Sequence, residues 1–286
     1  MGMVIRNNID SVRAYNIYNK NTMALSDTMY KVSSGQRINS AIDGPSDLAI
    51  SERMRGRIRS NDQASRNVQQ DTNLIKTAEG ALSNIVDLLN TVRERIINAA
   101  NDTNTSAERN LISSEITALI SQIDENSKVT YNGINLLDGT FGSAAGVGSG
   151  LNFQIGGDQG LSMNINIEAM SSSGLGIANV AGAGTAIDVS SASAAMVSLG
   201  KIDSAITAVL VQRTELGSIE ARLGFVADNL ATETENLTAS ESAIRDLDMA
   251  KGMTDFMKFN VLTQASQFML AQAGQNAYSV LNLLQQ

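Results

Sequence analysis

The side chains best equipped for acid–base or nucleophilic chemistry are missing from this chain or spaced unhelpfully. Cysteine, histidine and tryptophan are all absent. Without Cys there is no disulfide framework, no thiolate nucleophile and no Cys/His zinc site. Without His no imidazole can serve as a general base near neutral pH. Carboxylates remain, and Glu233/Glu235 and Asp246/Asp248 are the pairs that acid–base work would need. On a helix, residues two apart do not face one another, so these pairs read as solvated surface charges. No acidic spacing resembles a calcium loop. The stretch Gly156-Gly157-Asp158-Gln159-Gly160 lacks the Lys and Ser/Thr of a phosphate loop, and no helical pattern opens after it, so it reads as a turn. The sequence thus offers no catalytic, cofactor-binding or metal-binding residues, and an enzyme is not expected.

The charge balance narrows the partners. A formal net charge of -8 and a pI near 4.7 argue against nucleic acid, which is bound by clustered Lys and Arg. They argue more weakly against anionic membrane surfaces. No run of about 18 apolar residues stands out, so membrane insertion is not expected. The segment Met1-Gly2-Met3-Val4-Ile5-Arg6-Asn7-Asn8 lacks the apolar core of a secretory signal. If the protein leaves the cell, the expectation is a route without a cleaved signal.

With chemistry set aside, the elements themselves carry the information. At 286 residues the chain can form one large domain or two small ones. Its composition falls into three parts: helical patterns over 1 to about 136, a Gly/Ser/Ala-rich middle over about 137–195, and helical patterns again over 196–286. The single proline, Pro45, leaves the long helical patterns uninterrupted. In the first part Val68, Ile75, Leu82, Leu89 and Ile96 lie seven apart, and Ala78, Ile85, Val92 and Ala99 form a second column offset by three. These are the a and d positions of a coiled coil. In the last part Ile202, Val209, Leu216, Leu223, Leu230, Leu237 and Ile244 keep the same spacing. The partner column there is less regular, since Arg213, Glu220 and Glu241 interrupt one candidate, so this helix is expected to meet more than one neighbour.

Between the two long patterns, Thr105-Ser106-Ala107-Glu108 has the form of a capping box. Ile112, Ile116, Leu119 and Ile123 follow at helical spacing, and Tyr131-Asn132-Gly133 supplies a turn. The period then changes. Leu151, Phe153 and Ile155 alternate with polar residues, as do Leu161, Met163, Ile165 and Ile167, which predicts a β-hairpin over about 151–167. Residues 171–195 read as an exposed, weakly ordered connection.

The two ends are the most informative. From Phe259 onward there is no charged residue, yet Phe268, Met269, Leu270, Val280, Leu281, Leu283 and Leu284 are present. At the other end Ile5, Ile9 and Val12 share a helical face. Such a terminal segment is an aggregation hazard on a free monomer. It makes sense if other copies of the chain bury it, and Ile5, Ile9, Val12, Phe268, Leu270, Leu281, Leu283 and Leu284 are the candidate subunit-interface residues.

The segment Val32-Ser33-Ser34-Gly35-Gln36-Arg37-Ile38-Asn39-Ser40-Ala41 resembles the N-terminal signature of the bacterial flagellins. The similarity continues through Ala64-Ser65-Arg66-Asn67, Thr77-Ala78-Glu79-Gly80-Ala81-Leu82, Val92-Arg93-Glu94 and Tyr131-Asn132-Gly133. It resumes in Ala239-Ser240-Glu241-Ser242-Ala243-Ile244-Arg245-Asp246-Leu247-Asp248-Met249-Ala250 and runs on to Val280-Leu281-Asn282-Leu283-Leu284. The likeness covers nearly all of 1–140 and 198–286, and the middle is too short for a substantial outer domain, so the chain resembles a short-form flagellin.

The resemblance implies a mainly α fold: long antiparallel coiled-coil helices, a small β-hairpin, and termini paired as helices. It implies an inner core layer built from 1–44 and 251–286, and a rod-like layer over 45–250. It implies a structural subunit that self-polymerises into a motile filament, extracellular or, in a spirochete-like organism, periplasmic. Implied partners are the chain itself, an export chaperone on the C-terminal segment, a filament cap and a hook-junction protein. Arg93, Glu94 and Asn132, inside matched motifs, join the interface candidates. The family's innate-immune receptor epitope maps to Thr91, Arg93, Glu94, Arg95 and Glu115. Thr91 and Arg95 stand where strongly stimulating flagellins carry Arg and Leu, so weak activation is expected. The alternatives are a hook–filament junction protein, which shares the terminal motifs, and a secreted coiled-coil translocator acting on membranes.

Overall fold

The computed structural model describes residues 8–142, 150–178 and 187–284, with the backbone alone for 276–284. The described elements run in the order α1 (Ile9–Ser34), α2 (Pro45–Ala99), α3 (Ser106–Ser127), β1 (Thr130–Tyr131), β2 (Ile134–Asn135), β3 (Leu151–Gln154), β4 (Ser162–Ile165), α4 (Ala192–Arg245) and α5 (Met249–Leu284). The chain divides into two compact units, Met1–Ile58 with Glu235–Gln286, and Arg59–Thr234.

The central unit, Arg59–Thr234, owns the hydrophobic core. Every member of both expected α2 columns is buried, from Val68 at 2% exposure to Ile96 and Ala99 at 0%. From α4, Ile202, Val209, Leu216, Leu223 and Leu230 join the same core. Three ion pairs set the register: Arg93–Asp203 at 2.7 Å, Arg213–Glu79 at 3.3 Å and Lys76–Glu220 at 3.5 Å. Residue numbers rise on α2 as they fall on α4, so the helices run antiparallel.

The irregular partner column of α4 has a definite answer. The positions three beyond the main column include Ala205 and Gln212, both buried, followed by the partly buried Ile219 and Val226. Gln212 is a polar residue at 3% exposure because it serves the neighbouring extended chain. Its Oε1 accepts from the Glu168 N–H at 3.3 Å, and its Nε2 donates to the Asn166 carbonyl at 3.3 Å. A buried polar side chain is tolerated when its groups are paired in this way.

Pro45 is the first residue of α2, where its missing N–H is harmless and its fixed φ suits the helix. At the start of α3 the capping box is complete: the Thr105 N–H donates to Glu108 at 2.7 Å, and the Glu108 N–H donates to Thr105 Oγ1 at 3.4 Å. The Tyr131-Asn132-Gly133 turn joins two short strands, β1 and β2, rather than merely ending a helix. Asn132 and Gly133 have φ of 50° and 79°, as a tight two-residue hairpin loop requires.

The larger hairpin pairs β3 with β4 in the register Leu151↔Ile165 and Phe153↔Met163. Phe153, Met163, Ile165 and Ile167 turn inward to the core, while Leu161, at the loop, is 49% exposed. Its turn sits hard against α2. A Cβ on Gly157 would meet Asn61 Oδ1 and Ser60 Cβ at 2.8 Å.

Two expectations need correction. The described part of 171–195 is no exposed tether: Ile177 and Val189 are buried at 0% and 1%, and Ser172 bonds Asp124 through its N–H at 2.8 Å and its hydroxyl at 2.9 Å. Small residues made the segment look loose, but they let the backbone lie close to the core; 179–186 are outside the described residues. Also, α4 is long and apolar enough to cross a membrane by length and composition, its best window having a mean hydropathy of 1.6. Its heptad column is instead committed to the core of the central unit.

The terminal unit is held differently. Helices α1 and α5 run antiparallel, with Asn21 Nδ2 donating to Ser266 Oγ at 2.7 Å and Asn8 Nδ2 to the Ala273 carbonyl at 3.0 Å. The α1–α2 and α4–α5 connections meet in an antiparallel bridge between Gln36 and Asp246. The Arg37 N–H donates to the Arg245 carbonyl at 2.7 Å, and the Leu247 N–H to the Gly35 carbonyl at 2.9 Å. Gly35 ends α1 in the left-handed region, at φ 68°. Asp246 and Asp248 are therefore in a connection and not on a helix face. Asp248 caps α5 through the Ala250 N–H at 2.9 Å.

Candidate functional site

The seam of the α1–α5 pair is mixed and only half-buried: Leu25, Val32, Phe256 and Phe259 share it with Asn21 and Ser266. Helix α1 has no buried residue at all. The buried positions of the described part of α5 are Gly252 and Ser266, and Ser266 receives Asn21 across the seam. Other large apolar side chains face outward. On α1 these are Ile9, Val12, Tyr15, Ile17, Met23, Met29 and Tyr30; on α5 they include Val261 at 65% and Phe268 at 77% exposure. At about 25 cal/mol per Å², apolar surface on this scale is a strong drive to association. A helix pair with so thin a seam also has little of the packing that makes most helices stable in water.

The predicted interface residues fall unevenly on this surface. Ile9, Val12 and Phe268 lie on it, exposed at 56%, 58% and 77%, whereas Leu270 is half-buried. Ile5 and the side chains of Leu281, Leu283 and Leu284 lie outside the described residues. Arg93, Glu94 and Asn132 belong to the central unit. There Arg93 Nε holds Asp203 at 2.7 Å, Glu94 is exposed, and Asn132 stands at the exposed tip of the β1–β2 turn.

The positions expected to form the epitope face different neighbours, Arg93 turning to Asp203 of α4 and Arg95 to Glu115 of α3. Thr91 donates to its own helix, at the Asp87 carbonyl, 3.0 Å away. Arg95 Nε lies 2.8 Å from Glu115 Oε1, so these two candidates engage each other. Beneath them Leu89, Val92 and Ile96 are fully buried and serve the core, whereas Ile97 is 47% exposed.

Sequence reasoning missed the groups that fix the terminal unit. Arg245 is buried to 8% exposure, with Nη1 2.6 Å from Glu52 Oε1 and Nε 3.2 Å from Gln36 Oε1. The Arg245 guanidinium holds the Glu52 carboxyl below its usual range. Lys31 Nζ lies 3.0 Å from Asp43. That hydrogen bond, with the Ser40 N–H, lowers Asp43 from 3.8 to about 2. In α2, burial raises Asp71 to about 6. The adjacent signature residues were visible in the sequence, but their partners are far away in the chain.

Residues 5–142 match the family description "Bacterial flagellin N-terminal helical region", and 199–284 match "Bacterial flagellin C-terminal helical region". The chain is 42% identical over 303 residues to a flagellin of Bacillus subtilis (strain 168), covering 99% of this chain and 100% of that protein. It is 37% identical over 284 residues to a flagellar filament 30.7 kDa core protein of Treponema maltophilum, again covering 99% and 100%. A solved structure of a putative flagellar hook-associated protein from Vibrio parahaemolyticus shares the fold, with a TM-score of 0.57 at 14% identity over 71% of this chain and all of that one.

Proposed function

This chain belongs to the bacterial flagellin family and is a structural subunit of the flagellar filament, and on that premise we propose that polymerisation is driven through its α1–α5 pair. The reading is carried by the large apolar side chains that this pair leaves exposed, Phe268, Met23 and Val12 among them, over a seam that buries only Gly252 and Ser266 fully among the described residues. The relatives are structural proteins of filaments, so a junction-type role is not favoured.

In the filament, residues 1–44 and 251–286 of neighbouring copies form the inner layer, and 45–250 the layer around it. By their sequence alone, Ile5, Leu281, Leu283 and Leu284 are assigned to the same interface. The α1–α5 pair orders and buries its outward residues as each copy joins, so folding of the ends and assembly are coupled. As a component of the filament, the protein is extracellular or periplasmic. In this reading a chaperone shields the charge-free tail before export, a cap places each copy and a junction protein joins filament to hook. The tail's composition supports the chaperone, since it would aggregate bare.

The test is seeded polymerisation of purified monomer on filament fragments, viewed by electron microscopy, beside a version truncated after Ala250. Long filaments from the full chain alone support the reading; equal growth from the truncated chain overturns it.

A second reading concerns the immune receptor. Thr91 and the Arg95–Glu115 pair at 2.8 Å favour weak activation, because Glu115 is already engaged and position 95 is charged. Nanomolar stimulation of a receptor-reporter cell line by monomer would sink this reading.

A further inference from the structure

Sulfur is distributed unevenly over this protein. The sequence has twelve methionines and no cysteine. In the central unit Met163 and Met170 are buried, at 6% and 3% exposure, with Met196 the exposed exception among the described residues. On the α1–α5 pair the situation is reversed. Met23, Met29, Met249, Met253, Met257 and Met269 are exposed at between 42% and 73%. Met249, Met253 and Met257 follow one another at four-residue spacing, one turn apart along a single strip of α5.

We propose that these six thioethers form a reversible oxidation site that controls entry of the subunit into the filament. The inference rests on the reading that the α1–α5 surface is buried on assembly. The oxidant is a hydroperoxide. A sulfur lone pair attacks the terminal peroxide oxygen, an S–O bond forms and the O–O bond breaks. Sulfur is oxidised by two electrons to the sulfoxide. The peroxide is reduced to water or an alcohol, the proton passing to the departing oxygen.

The product is a polar, chiral group on what was a flexible apolar side chain. In water it is well solvated. In an apolar subunit interface its oxygen has no donor, and an unpaired polar group there opposes burial. With no cysteine present, these side chains are the protein's readiest two-electron reductants. A dithiol-dependent methionine sulfoxide reductase reverses the step, its thiols becoming a disulfide and the oxygen leaving as water.

The experiment exposes monomer and preformed filament to the same hydrogen peroxide concentration and maps each methionine by peptide mass spectrometry. Seeded growth is then followed by sedimentation and electron microscopy. The expectation is oxidation of the six positions at least tenfold faster in monomer than in filament, with Met163 and Met170 spared in both. Oxidised monomer is expected to elongate seeds at least tenfold more slowly, and treatment with the reductase to restore growth. Replacing the six with Leu, a substitution close in volume, is expected to leave growth insensitive to peroxide. Undiminished growth of oxidised monomer overturns the proposal, as does equal oxidation of the six in filament and monomer. Growth of untreated chain truncated after Ala250 would instead overturn the assembly reading beneath it.

Discussion

Arg245 closes on Glu52 at 2.6 Å across 193 residues of chain, and it does so with its own side chain only 9% exposed while Glu52 is 54% exposed. The two ends of the terminal unit are therefore tied by a planar guanidinium whose fork reaches partners on both. The same guanidinium reaches Gln36 at 3.2 Å, and the Arg245 carbonyl receives the Arg37 N–H at 2.7 Å. Side chain and backbone together bind the two inter-helix connections.

Replacing Arg245 with Ala is expected to destabilise the terminal unit, because the enclosed guanidinium stem and its bonds to Glu52 and Gln36 are lost together. Filaments of the variant should dissociate at a lower temperature in a heating series followed by light scattering. Arg245→Lys should recover only part of the loss, because an ammonium cannot serve Glu52 and Gln36 with one planar fork. An unchanged dissociation temperature for Arg245→Ala would show that the bridge backbone alone suffices.

Two aspartates give opposite dependence on pH. Asp43 is lowered from 3.8 to about 2 by Lys31 and the Ser40 N–H. Its contribution is complete above the ordinary value of 3.8 and is lost as pH falls toward about 2. Asp71 is raised by burial from 3.8 to about 6. The folded state holds that proton more tightly, so stability declines as pH rises from 3.8 to about 6 and stays reduced above. Asp71→Asn should stabilise the central unit near pH 7 by on the order of 1 kcal/mol, allowing for partial solvent screening. Urea midpoints collected from pH 2 to pH 8 on wild type and D71N separate the two limbs; a D71N midpoint equal to the wild type at pH 7 refutes the second.

The hairpin turn depends on one glycine. A methyl group at Gly157 would sit 2.8 Å from Asn61 Oδ1 and Ser60 Cβ, and overpacking of this kind costs about 1–3 kcal/mol. Gly157→Ala is expected to speed hydrogen exchange in 151–165 while leaving the α2–α4 core protected. Gly160→Ala makes the comparison informative: it meets no neighbour but sits at φ 88°, so its penalty is conformational and local. Equal exchange in Gly157→Ala and wild type would mean that the turn simply shifts away from α2.

Phe268 is the sharpest probe of the assembly surface, at 77% exposure on a helix whose fully buried positions, among the described residues, are Ser266 and Gly252. Phe268→Asp should leave the monomer's circular dichroism unchanged and abolish seeded growth, since an unpaired carboxylate resists burial. Normal filaments from this variant would place Phe268 outside the contact.

Much of this protein was legible in its residues alone. The columns at Val68 to Ile96 and Ile202 to Leu230, the Thr105–Glu108 cap and the 151–167 hairpin are read from local periodicity, because a helix or strand with one buried face must repeat its apolar residues at its own period. Tertiary structure alone decided which polar residues could be buried. Nothing in the sequence marked Gln212 as a buried residue, and only the Asn166–Glu168 backbone placed against it makes that burial tolerable. Arg245 looked like one charge among several in a signature until Glu52 and Gln36 were brought to it from the other end of the chain. The small residues of 171–178 looked like slack until Ile177 was seen fully buried. The reason is common to all three. A hydrophobic pattern needs only its own helix or strand to be recognised, whereas a buried polar group or a close backbone approach is tolerable only if a specific partner arrives from elsewhere, and sequence spacing does not encode that meeting.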